Sequence, residues 1–174
     1  RDSLFIPRSI PRDRRTEFTN AYGFHSYCDA SWLLRSPAGY LVMFMDGPVD
    51  WASKLVRVIT HSSAEAEIAA GCMLGKRQVF IIQLLAEFKV LITKPAITLI
   101  DNTAADDLSS KFGVTPKTAH FLRWQHYLRW LVKNGYIEIF FVPTAEQLAD
   151  IMTKVVDFST FLAACRILFK VRSK

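Results

Sequence analysis

Ala96-Ile97-Thr98-Leu99-Ile100-Asp101-Asn102 is the stretch on which the fold turns. Its run behind Pro95 lacks the in-out alternation of a half-exposed strand, so residues 96–100 read as a strand buried on both faces. Asp101 closes that strand at the carboxyl end, where open α/β sheets gather their active sites. Upstream, residues 24–29, 39–45 and 49–58 are rich in aromatic and β-branched side chains and read as strands. Asp46-Gly47-Pro48 supplies a hairpin turn between the last two, giving an antiparallel meander. A helix starts near Ser62, where Ser62-x-x-Glu65 forms a capping box, and runs through Ala69, Leu74 and Phe80 toward Phe88 with an interruption near Gly75.

Downstream of Asp101 a short helix is expected over residues 103–111, with Gly113 and Pro116 breaking the chain. A helix over 117–133 ends at Asn134-Gly135, and residues 136–142 form a strand. Thr144-x-x-Gln147 reads as a second capping box, opening a helix that holds Asp150. A last amphipathic helix over 158–171 shows an apolar stripe of Phe161, Leu162, Cys165 and Leu168. The order β-β-β-α-β-α-α-β-α-α predicts an α/β fold: a five-stranded mixed sheet, three antiparallel strands then two parallel, flanked by helices.

The 174 residues suit about one domain, and with 51% hydrophobic residues they can fill its core. Residues 1–22 hold Arg1, Arg8, Arg12, Arg14 and Arg15 around two prolines, Pro7 and Pro11, and read as an extended basic arm. Residues 23–174 form the domain. The net charge of +6 points to a polyanionic partner. Cys28, Cys72 and Cys165 are odd in number and far apart, which argues against a disulfide framework and for a reducing intracellular compartment. No apolar run approaches the roughly 20 residues of a membrane span, and no membrane partner is expected. The chain opens on Arg1, not Met, and is read as a processed or excised piece.

Four carboxylates stand at the edges of apolar stretches: Asp29, Glu67, Asp101 and Asp150. Brought together they repel one another unless cations neutralise them. A pair of hard divalent ions does so, with Mg²⁺ favoured by oxygen donors and Mn²⁺ as an alternative. Glu65 and Glu67 lie about 200° apart around a helix, so the capping box takes Glu65 and leaves Glu67 for the site. Lys117, Arg123, Arg129 and Lys133 fit either phosphate contacts or a solvated helix face, and Arg12, Arg14 and Arg15 add basic charge in the arm. Trp124 and Trp130 are six apart, so at most one packs inward.

The motifs, taken in order, resemble the ribonuclease H domain of copia-type retrotransposon polyproteins. Tyr27-Cys28-Asp29-Ala30-Ser31-Trp32 is similar to Y-S-D-A-D-W, Ser36-x-x-Gly39-Tyr40 to S-T-S-G-Y, and residues 48–54 to P-I-S-W-S-S-K. Ser62-Ser63-Ala64-Glu65-Ala66-Glu67 resembles S-S-T-E-A-E, and Asp101-Asn102 matches a D-N pair. Residues 142–154 resemble V-P-T-E-E-Q-L-A-D-I-L-T-K, the longest match. The resemblance implies a ribonuclease H-like fold and two-metal hydrolysis of RNA in RNA–DNA hybrids. Asp29 would bridge both ions, Glu67 and Asp101 would hold one, and Asp150 would complete the shell of the other; Asn102 would lie on the nucleic-acid side. Departures are Ser31 for a second aspartate, a shortened loop after Trp32, and Ala119, Leu122 and Trp124 where the family carries Lys, Asp and Arg. No histidine stands just before Asp150, where many cellular ribonucleases H keep one.

Two readings follow. One is a working Mg²⁺-dependent nuclease of a cytoplasmic or nuclear retroelement particle, acting on RNA–DNA hybrid. The other is a domesticated, catalytically idle copy kept as an RNA-binding or structural subunit of a ribonucleoprotein, such as a mitochondrial ribosome. The intact carboxylates favour the first; the basic arm and the altered helix around His120 favour the second.

Overall fold

A computed structural model describes residues 8, 10–15, 23–57, 59–92, 95–101 and 121–170. Its strands are β1 (His25–Ala30), β2 (Pro37–Phe44), β3 (Gly47–Leu55), β4 (Ala96–Ile100) and β5 (Ile137–Phe141). They lie side by side as β3-β2-β1-β4-β5. β1 pairs antiparallel with β2 and parallel with β4, and β4 pairs parallel with β5. The mixed sheet expected from the sequence is therefore present. β1 is the central strand, buried along its whole length.

The helices are α1 (Ser63–Glu87), α2 (Leu122–Lys133), α3 (Asp150–Thr153) and α4 (Phe158–Phe169). Strand alternation sorts the core into two halves. Cys28, Tyr40, Val42 and Ile137 join Leu74 of α1 and Leu128 and Leu131 of α2 on one face. Tyr27, Leu41, Met43 and Leu99 join Leu148, Ala164 and Leu168 on the other. Trp124 packs against the first core while Trp130 is exposed, stacked on Tyr136 with centroids 5.3 Å apart.

Several local expectations change. The β2–β3 turn is Met45-Asp46, at φ 50° and 66°, and Gly47 already pairs with Phe44 in the ladder. A two-residue loop with both φ positive matches the right-handed twist of the strands. α1 runs unbroken past Gly75. A Cβ there would meet Leu131 Cδ1 at 2.6 Å, so this glycine serves the close approach of α2 and not a break. Thr144-x-x-Gln147 does not cap a helix. Thr144–Glu146 is a 3₁₀ turn, and the buried Gln147 amide instead donates to the Cys28 carbonyl at 3.0 Å. A buried bond to the central strand replaces the local cap. α4 touches the sheet at its edge strand β3, so burial is confined to Ala164 and Leu168 and Phe161 of the expected stripe is exposed.

By length and composition alone α1 could cross a membrane, but here it is a core helix whose Glu65, Glu67 and Gln78 are buried. Gln78 donates to Thr98 Oγ1 at 3.0 Å, tying the helix to β4. Of the arm over residues 1–22, Arg12–Arg14 form a 3₁₀ turn. Ile10 is 1% exposed in the second core, and Arg14 pairs with Glu138 of β5 at 2.6 Å. Ile10→Ala should therefore lower the unfolding free energy by about 2–5 kcal/mol in urea melts. A change below about 0.5 kcal/mol would show that the arm contributes nothing to the core. The helix expected over 103–111, and the first residues of the one over 117–133, lie outside the described residues.

Candidate metal centre

The carboxyl ends of β1 and β4 place Asp29 and Asp101 side by side, and the start of α1 brings Glu67 to them. One oxygen from each of these three lies within 4.8 Å of the others. Asp29 is 1% exposed and on the same strand face as Tyr27. Glu67 is buried; its Oε1 accepts the Ala30 amide at 3.4 Å, and its Oε2 has no hydrogen-bond partner. Glu65 is spent on the helix end, as its spacing predicted. Its Oε2 accepts the His61 amide at 2.6 Å, while Ser62 Oγ accepts the Glu65 amide at 3.2 Å.

Asp150 opens α3 and reaches the triad through a cation. Lys154 Nζ lies 2.9 Å from Asp150 Oδ1, 3.3 Å from Asp29 Oδ1 and 4.0 Å from Asp101 Oδ2. Thr153 donates its hydroxyl to Asp29 Oδ2, and Thr144 donates to Asp101 Oδ2 at 3.4 Å. α3 can lie this close because β2 has a glycine beneath it. A Cβ on Gly39 would meet Met152 Cβ at 2.6 Å and Thr153 Cγ2 at 2.9 Å. Ser53 Oγ of β3 donates to the Met152 carbonyl at 2.5 Å and holds the segment down.

The electrostatics are those of crowded acids. Burial, then the charges of Asp29 and Asp101, push Glu67 up to about 8 from an ordinary 4.5. Burial and then the charge of Asp29 likewise raise Asp101, and burial raises Asp150 against the pull of Lys154. Burial works to lower Lys154, but Asp150, Asp29 and Asp101 together raise it. Two buried carboxylates, Asp29 and Glu67, and the half-buried Asp101, with one orphaned oxygen on Glu67, form a hard-oxygen donor set that fits a divalent cation.

A raised acid pKa favours the metal-free fold fully only below the ordinary carboxylate range, and that favour is lost as pH rises through the folded value. Metal-free protein should thus lose stability between about pH 4.5 and pH 8 as Glu67 ionises. A divalent ion, competing with that proton, should stabilise more at high pH. We expect the Mg²⁺-induced rise in melting temperature to be larger near pH 8.5 than near pH 6, and Glu67→Gln to flatten the difference. An equal rise at both pH values would place the ion away from Glu67.

The residues expected to meet nucleic acid are scattered. Arg123 and Lys133 are exposed on α2 and Arg129 is half-buried there. Arg12 is exposed, Arg14 is engaged with Glu138, and Arg15 Nε donates to the Ile10 carbonyl at 3.5 Å. Asn102 and Lys117 lie outside the described residues. Sequence reasoning did not place Thr153, Lys154 or Gln147 in the site. The signal was there: Thr153 and Lys154 stand three and four residues after Asp150, the spacing at which side chains meet on a helix.

A central strand flanked by β2 and β4, with acids at the carboxyl ends of β1 and β4 and at the start of α1, defines a ribonuclease H-like fold. Solved ribonuclease H domains superpose on it. The enzyme of Halobacterium salinarum matches with TM-score 0.52 and 17% identity over 75% of this chain and 93% of that one. The N-terminal ribonuclease H domain of a Mycobacterium tuberculosis protein matches with TM-score 0.57 and 14% identity over 75% and 95%. LC11-RNase H1, solved in complex with RNA/DNA hybrid, matches with TM-score 0.53 and 12% identity over 75% and 93%.

In sequence the chain is homologous to retrovirus-related Pol polyproteins of copia-type transposons, and with its fold this fits the ribonuclease H domain of a retrotransposon. It is 29% identical over 147 residues to the Pol polyprotein of transposon RE1 of Arabidopsis thaliana, covering 82% of this chain and 10% of the relative. It is 32% identical over 127 residues to that of transposon TNT 1-94 of Nicotiana tabacum, covering 73% and 10%. The chain thus spans about a tenth of the length of the curated relatives it matches. No protein-family model matches it.

Proposed function

We propose that this domain hydrolyses the RNA strand of RNA–DNA hybrids with the help of two divalent ions. The observation that carries the reading is the convergence of the buried Asp29 and Glu67 with the half-buried Asp101 and an unsatisfied Glu67 oxygen, an arrangement that is costly without a cation. Asp29 is central to the cluster and would be shared between the ions. Glu67 and Asp101 would hold one, and Asp150 the other. Bound there, such ions supply Lewis acidity at the phosphate and raise the acidity of water. The chain's own residues set the geometry. Thr153 fixes the Asp29 carboxylate by its hydroxyl, Thr144 steadies Asp101, and Gln147 ties the approach to α3 onto β1. The hybrid held by LC11-RNase H1 suggests the substrate class, and the 2′-hydroxyl is the group by which RNA is told from DNA.

A specific observation favours the second reading as well. Lys154 already offsets charge on Asp29 and Asp150, so that side of the cluster persists without an ion, as in an idle, ribonucleoprotein-bound copy. The deciding experiment is Mg²⁺- or Mn²⁺-dependent cleavage of a labelled RNA–DNA hybrid by the folded chain. Metal-dependent cleavage supports the nuclease. Binding of RNA without cleavage, at any divalent concentration, supports the idle subunit.

A further inference from the structure

We propose that Lys154 is a built-in counter-ion that keeps the Asp29–Asp150 side of the site closed to a divalent ion until nucleic acid draws it away. Loading is then ordered: one ion enters on the Glu67 side of the free protein, and the second enters only with substrate. This rests on the two-ion reading above, and the experiment below separates the two.

The charge in the cluster is lopsided. The ammonium forms its ion pairs with Asp150, Asp29 and Asp101 at 2.9, 3.3 and 4.0 Å. On the other side, Glu67 Oε2 is buried with no hydrogen-bond partner. A first cation therefore finds the least compensated position at Glu67, where one carboxylate oxygen converges with one each from Asp29 and Asp101 within 4.8 Å. A second, between Asp29 and Asp150, meets the ammonium at contact range, where repulsion persists even at the effective dielectric of a protein.

The lysine is also built to leave. It follows the last residue of α3 with extended backbone, at φ −130° and ψ 151°, and its side chain is 36% exposed. Its four-carbon stem can swing without moving the helix. Asp29 keeps its bond from Thr153 when the ammonium departs, so the carboxylate stays in place for an ion. A phosphodiester arriving beside the cluster is an anion able to receive the ammonium.

The test is Mn²⁺ titration followed by electron paramagnetic resonance, on the chain alone and with a hybrid whose RNA strand carries 2′-fluoro groups to slow cleavage. Wild type should bind one Mn²⁺ per chain alone and two with hybrid. Lys154→Met should bind two without hybrid, the second on the order of tenfold or more tighter than in wild type. Lys154→Arg should restore the hybrid requirement. Two equivalent ions on free wild type overturn the loading order even if Lys154→Met fails to fold, and so does one-ion stoichiometry in a folded Lys154→Met. No Mn²⁺ bound in either condition overturns the two-ion reading itself and the loading order with it.

Discussion

Asp29→Asn should reduce metal-dependent hybrid cleavage by on the order of a thousandfold or more while leaving the domain folded. Asp29 is the carboxylate that joins the triad to the Thr153–Lys154 side of the site. It shares the triad with Glu67 and Asp101, faces Lys154 at 3.3 Å and accepts from Thr153. Asparagine keeps the volume and an oxygen for the Thr153 hydroxyl, so packing at this 1%-exposed position survives. What goes is the charge both ions would share. Removing it also relieves Glu67 and Asp101, whose acids are both raised in part by Asp29. The metal-free variant should therefore melt no lower than wild type near pH 8, and its Mg²⁺-induced stabilisation should shrink. Cleavage that survives the substitution would sink the assignment of Asp29. A variant that melts far below wild type would mean that the Lys154 and Thr153 contacts outweigh the repulsion.

Gly39→Ala should carry the second-largest effect, by a route that touches no reacting group. Its Cβ would press on Met152 Cβ and Thr153 Cγ2 at 2.6 and 2.9 Å. Neither atom is the far end of a flexible chain, so α3 must lift. Overpacking of this kind costs about 1–3 kcal/mol, which at this domain size lowers the melting temperature by about 2–4 °C per kcal/mol. Activity should fall further than stability, by about a hundredfold, because α3 carries Asp150 and Thr153 and leads into Lys154. Gly47→Ala is the control. Its nearest contact would be the Phe44 carbonyl at an ordinary 3.9 Å, and both readouts should stay near wild type. Equal loss in the two variants, or loss of stability without extra loss of activity in Gly39→Ala, would show that α3 is not held by that approach.

Much of the site was legible because its signals are local. Asp101 ends a short buried strand, and Asp29 lies at the end of another. Glu67 is separated from Glu65 by helical geometry and by Ser62-x-x-Glu65, which the structure forms as a cap. Where local logic met a competing tertiary partner, it failed. Gln147 matches a cap by spacing, yet a buried strand carbonyl takes its amide. Gly75 reads as a helix breaker, yet it is the hollow that admits Leu131. Phe161 belongs to an apolar stripe, yet α4 buries only Ala164 and Leu168 and leaves it exposed.

The sequence by itself determined the order of the strands, the mixed sheet and the two aspartates at the carboxyl ends of β1 and β4, because periodicity and strand-end position are written along the chain. Only the tertiary structure decided that Lys154 lies among the carboxylates and that Gly39 makes room for Met152 and Thr153 of α3. Both depend on how closely a four-residue helix approaches a strand more than a hundred residues earlier, a distance set by packing, which no linear spacing encodes.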